Sequence, residues 1–208
     1  MNSNHIRFCV DVLSPVALRE RRRAASDAAL ATRAIAPIRS VWPNGTVLHV
    51  RFIGGTPEQH LTVEQVAKQW EKHANLKLAF DASQQAQIRI SFVQDGRSWS
   101  YMGTDNLNIP AHAATMNFGW PLEEGTILHE FGHAIGLAHE HQNPSGGILW
   151  NEAVVLRELA GPPNGWDEDT IRFNVLDKYR TDQVRGTESI TQKEPSTSPV
   201  GACTGTPR

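Results

Sequence analysis

The chain has 208 residues, 39% of them hydrophobic and 20% charged, enough to bury a real core as one domain or as two lobes around a cleft. A formal net charge of −2 excludes a globally basic nucleic-acid binder and gives no long-range attraction to anionic membranes. Cys9 and Cys203 are the only cysteines, so neither a disulfide-stapled scaffold nor a cysteine-built zinc fold is expected.

In chain order, residues 6–13 read as a short strand and residues 15–36 as an Ala- and Arg-rich helix with Pro15 at its start. Asp11 interrupts the first apolar patch, so no secretory signal is recognisable there, and no apolar run reaches the ~18–20 residues that would span a bilayer. Arg19, Arg21, Arg22 and Arg23 are expected to form a solvated helix face and not a nucleic-acid contact. After a turn at Trp42-Pro43-Asn44-Gly45, residues 46–53 carry the β-branched pattern of a strand ending at Gly54-Gly55. Leu61, Val63, Val66, Ala67 and Trp70 recur at helical spacing over 61–74, and 76–80 and 87–93 alternate as half-buried strands do. Residues 98–103 and 115–119 are shorter strand candidates, and 152–159 and 169–179 turn helical again. The pattern is α+β, without internal repeats.

Four of the nine histidines fall within 129–141. On a helix His129 and His133 lie about 6 Å apart along the axis on one face, a spacing that lets two imidazoles share one metal ion. His139 cannot join them from the same straight helix, so the chain must turn, and Gly136 can supply a left-handed C-terminal residue there. Three neutral nitrogen ligands leave a fourth position open, which suits a catalytic zinc ion better than a structural one. Glu130, adjacent to the first ligand, is the candidate general base. Chance alone would produce this His-Glu-x-x-His-x-x-Gly-x-x-His pattern on the order of once per ten thousand chains of such composition.

These residues resemble the zinc motif of the metzincin metalloproteases. Glu140, directly after the third histidine, makes the resemblance closest to the astacin-like branch, with the matrixins as the nearest alternative. Trp42-Pro43-Asn44-Gly45-Thr46-Val47 is similar to the opening of an astacin catalytic domain, residues 66–80 to its first helix and second strand, and residues 174–179 to the Asn-Phe-x-Lys-Tyr segment before the Met-turn. The chain departs from the family in three ways. No cysteine lies between Val10 and Ala202, no latency segment is recognisable before Trp42, and the last methionine is Met116, so the Met-x-Tyr of the Met-turn is missing.

The resemblance implies a zincin fold, a twisted mixed sheet with helices above an active-site helix and a truncated helical lower lobe. It implies a zinc metalloendopeptidase holding one Zn2+ on His129, His133 and His139, in which Glu130 moves the proton of a zinc-activated water. An inactive zinc-binding relative remains the alternative. A peptide substrate is expected to lie extended along the sheet edge at Thr115, Met116, Asn117, Phe118 and Gly119. Glu140 either pairs with a matured N-terminal ammonium or fixes its own loop, and Gly136 makes the turn. Cys9 could block the zinc as in matrixin pro-segments, but Phe8-Cys9-Val10-Asp11 does not match their motif, and a buried small hydrophobe is expected. His141 is expected on the surface, and His112, without neighbouring carboxylates, is not expected to bind a structural metal.

The expected organisation is an extension or pro-segment over 1–40, a catalytic domain over 41–188 whose lobes meet at 136/137, and a disordered tail over 189–208. That tail holds seven Ser or Thr, three Pro and no aromatic residue or Leu. A frameshift is expected to have replaced the Met-turn, leaving a truncated, poorly stable and weakly active domain, with a divergent way of closing the pocket as the alternative. A monomer with no nucleic-acid partner is expected, and the resemblance suggests secretion.

Overall fold

The computed structural model describes Cys9 and residues 35–145, 148–162, 164–179 and 183–186. The strand expected at 6–13, apart from Cys9, the helix expected over 15–34 and the tail over 189–208 lie outside the described residues. Ile35 and Ala36, expected at the end of that helix, are instead in a strand, β1 (Ile35–Pro37). The β-branched Ile35 and the fixed φ of Pro37 suit extended backbone, and pairing with residues far along the chain stabilises it.

The main sheet has five strands: β2 (Val47–Ile53), β3 (Lys77–Phe80), β4 (Ile88–Ser91), β5 (Trp99–Ser100) and β6 (Met116–Asn117), in the order β3-β2-β4-β6-β5. All neighbours are parallel except β5, which runs antiparallel to β6. This is the mixed sheet of an α+β zincin. The parallel β2–β3 pair needs a crossover, and α1 (Pro57–Ala67) supplies it. Thr56 starts α1 with a capping box, its hydroxyl accepting from the Gln59 amide while the Gln59 side chain accepts from the Thr56 amide.

The core lies between sheet and helices, where Leu48, Val50, Ile88, Ile90 and Met116 meet Val63 and Ala67 of α1. The same sheet face receives α2 (Glu124–Ala134) through Ile127, Phe131 and Ala134, all fully buried at i, i+4 and i+7. Burial of Ile127 and Phe131 contributes roughly 1.5–3 kcal/mol each. The indole N–H groups of Trp42 and Trp70 donate to the carbonyls of Ala134 and Leu128, at 2.9 and 3.0 Å, and so fasten α2 to the body.

The sheet order corrects the expected substrate edge. Thr115, Met116, Asn117 and Phe118 are essentially inaccessible, because β6 is flanked by β4 and β5 and is not the edge. Gly119 is also interior, its amide donating to Ser98 Oγ and its carbonyl accepting from Gly96 N. A two-residue strand gives no sequence signal of its neighbours, and the chain runs out to β5 before it returns as β6 between β4 and β5.

Beyond α2 the described chain is mostly loop and short helix. Asn151 and Asp167 cap α3 (Glu152–Ala160) and α4 (Glu168–Ile171), and α4 continues as a π-helical turn over Arg172–Leu176. The helix expected over 169–179 therefore ends at Leu176. Leu159, Ile171 and Val175 form the small core of this lobe. β1 pairs antiparallel with β7 (Val184–Gly186), so residues before position 41 are joined to the end of the lower lobe. Among the described residues no helix is long and apolar enough to cross a membrane.

Candidate metal centre

Turning Ile127 and Phe131 toward the sheet turns His129 and His133 the other way and leaves Glu130 on the flank between the two faces. The helix stops after Ala134, and Gly136, at φ +112°, reverses the chain. A Cβ at Gly136 would stand 3.1 Å from the Ser40 carbonyl oxygen, so both the backbone angle and the space favour glycine. The Ala138 amide donates to Ile35 O at 2.9 Å, which seats the returning segment on β1 and delivers His139 to the face of α2.

The three Nε2 atoms of His129, His133 and His139 then form a near-equilateral triangle. Its edges are 3.0 Å (His129–His133), 3.1 Å (His129–His139) and 3.3 Å (His133–His139). Tetrahedral ligation at ~2.0–2.1 Å needs nitrogens about 3.3 Å apart, so the triangle fits a zinc-sized ion. His133 Nδ1 lies 2.8 Å from Leu137 O. A carbonyl only accepts, so Nδ1 carries the proton and Nε2 presents its lone pair to the centre of the triangle.

Cys9 completes the group. Its Sγ and the three histidine nitrogens all lie within 4.8 Å of one another, a donor set of one thiol and three imidazoles. Sγ also donates to Glu130 Oε2 at 3.5 Å, across 121 residues of sequence. This corrects the reading of Cys9 as a simple hydrophobe. The residue is buried, but against the histidines and Glu130, and only tertiary placement brings it there. Glu130 is fully inaccessible and His133 nearly so, and water has little access to the base.

With the fold and this geometry in view, the family model Astacin, a peptidase family, matches residues 34–146, more than half of the chain. The chain belongs to the astacin family. Over 124 residues it is 29% identical to Tolloid-like protein 1 of Mus musculus, covering 59% of this chain and 11% of that protein. Over 122 residues it is 29% identical to Bone morphogenetic protein 1 of Xenopus laevis, covering 59% and 16%. The chain thus spans a small fraction of those relatives. A structure of myroilysin matches with a TM-score of 0.70 at 38% identity, covering 74% of this chain and 78% of that one. A crystal structure of myroilysin matches at 0.58 and 31%, covering 93% and 76%.

Glu140, His112 and His141, the other candidates, differ in their contacts. Glu140 accepts from Asn143 Nδ2 at 2.8 Å, the loop-fixing arrangement. Partial desolvation pushes its carboxyl above the usual range, with the Asn143 hydrogen bond opposing. His112 is exposed and belongs to no metal-competent group among the described residues. His141 corrects its expected surface position, being half-buried and stacked on His139 with ring centroids 5.1 Å apart and planes 26° apart. No sequence spacing marks Cys9 or His141 for these places, because their partners lie far along the chain or depend on the turn at Gly136.

Proposed function

We propose that this astacin is a zinc-dependent endopeptidase and that the form described is its closed state. The observation that carries the reading is the Nε2 triangle of His129, His133 and His139 beside a fully buried Glu130. His129, His133 and His139 would hold one zinc ion. Zinc bound there would polarise the scissile carbonyl and lower the pKa of a water to roughly 7. Glu130 is the base that accepts the proton of the attacking water and later gives it to the leaving amine, so it acts as base first and acid second.

Cys9 keeps both parts of this machinery occupied. Without the ion its S–H donates to Glu130 Oε2, the carboxylate that must take the proton; with zinc bound, the sulfur would hold the fourth position as a thiolate, its proton given up to Glu130. Turnover therefore requires Cys9 to leave. The substrate is a protein or peptide, its backbone extended along β5, which ends the sheet and packs against α2. A secreted monomer is the setting we infer from the family.

Zinc content of protein purified without added metal, together with turnover of casein, tests the reading. One zinc per chain is expected, with little turnover by the intact chain and clear turnover by Cys9→Ala. A chain that takes up no zinc at micromolar concentration would end the zinc reading. Zinc uptake without turnover in Cys9→Ala would identify an inactive zinc-binding relative.

A further inference from the structure

His129 and His133 are aimed by the backbone of α2, but His139 stands on an extended segment beyond the Gly136 turn and cannot draw its orientation from that helix. Its backbone is tied at Ala138 N–Ile35 O and at Gln142 N–His139 O, 2.9 and 3.0 Å, and neither bond sets the side-chain torsions. We propose that His141 is a positioning residue that sets the ring of His139. The inference rests on the zinc reading above.

The His141 imidazole lies in an offset stack on His139, and the edge-on ring of Trp150 meets it at 6.1 Å and 86°. His141 Nε2 lies 2.8 Å from Asn174 O, and since the carbonyl can only accept, Nε2–H donates. The next residue repeats the pattern, with Gln142 Nε2 donating to Phe173 O at 2.8 Å and Gln142 O accepting from Tyr179 N at 2.9 Å. Gln142 is completely buried.

Phe173 and Asn174 belong to the π-helical turn Arg172–Leu176, closed by the Asp177 amide on Arg172 O at 2.7 Å. Carbonyls at a helix end lack onward helical partners and need donors from elsewhere. Here the donors are the two residues that follow Glu140, so one clasp both caps the helix and fixes His141. The ring of His141, held on its edge by a backbone carbonyl, transmits that fixity to His139 through the stack. This arrangement supports the third ligand from the helix 168–176, within a chain whose sequence shows no Met-x-Tyr after His139.

The test measures zinc affinity in the full chain by chelator competition, and the visible spectrum of the cobalt(II)-loaded protein. His141→Ala should weaken zinc binding about 10–100-fold and shift the cobalt bands, as loss of a ligand's support does. His141→Phe keeps a stacking ring without the Asn174 hydrogen bond and should fall between wild type and His141→Ala in both readouts. Should His141→Ala fail to fold, His141→Phe and Trp150→Ala carry the comparison, each expected to lose affinity severalfold with the cobalt spectrum altered. Zinc affinity within twofold of wild type and an unchanged cobalt spectrum in the folded variants would overturn the positioning role while leaving the zinc reading intact. A wild-type chain that takes up neither metal would overturn both.

Discussion

Glu130 separates proton transfer from metal binding, and Glu130→Gln is the cleanest perturbation of it. Glutamine keeps the volume of a fully buried side chain but cannot accept a proton at the required step. Cys9 must be absent for turnover to be read, so the comparison is Cys9→Ala against Cys9→Ala with Glu130→Gln. A positioned general base contributes ~10²–10⁴ in rate, or about 2.7–5.4 kcal/mol at 1.36 kcal/mol per factor of ten. Zinc content should not change, because the triangle of 3.0, 3.1 and 3.3 Å is built from imidazoles alone. Thermal stability should hold or rise, since the substitution removes a carboxylate from a buried site. The assay is release of labelled casein fragments at saturating zinc, with metal content and unfolding temperature measured on the same preparations. A loss of activity under tenfold, or a loss of zinc matching the loss of activity, would refute the assignment of Glu130 as base and not ligand.

Three further outcomes are expected. His133→Ala should lose tight zinc binding, measured as metal retained after dialysis, because the two remaining imidazoles make a poor site and the tautomer-setting bond to Leu137 O disappears with the ring. Cys9 in the zinc-loaded chain should resist alkylation by a maleimide and react after chelation, since its sulfur faces the histidine nitrogens and Glu130; equal reaction rates in both states would contradict its place at the centre. The hydrogen bond from the Leu78 amide, with lesser help from Lys77, holds the Glu71 carboxyl below the ordinary range. A depressed carboxylate pKa adds stability above the unfolded-state value, near 4.3, and that stability disappears as pH falls through the lower folded-state value. Glu71→Gln should therefore remove part of the acid-side slope of unfolding free energy below about pH 4.3, as followed by urea titration.

The local chemistry of this chain was decided by short-range pattern. Helical spacing put His129 and His133 on one side of α2 and Ile127 and Phe131 on the other, and a glycine at 136 allowed the reversal that brings in His139. Each of these depends on residues within one or two turns of helix, where the period of the backbone leaves few options. The strands of the main sheet were legible for the same reason, but β1, β7 and the sheet order were not. Nothing in Met116-Asn117 records that it will insert between β4 and the earlier β5, and so the expected substrate edge became an interior strand.

The contacts at Cys9 and His141 were decided by tertiary structure alone. Cys9 meets Glu130 across 121 residues, and its neighbours in sequence carry no trace of that meeting. His141 takes its place from Asn174 and Trp150, through a π-turn whose carbonyls need donors. A motif can specify ligands because their geometry is set by one helix and one turn. What lies at the fourth position beside the triangle, and what steadies its third corner, depends on which distant surfaces the folded core brings together.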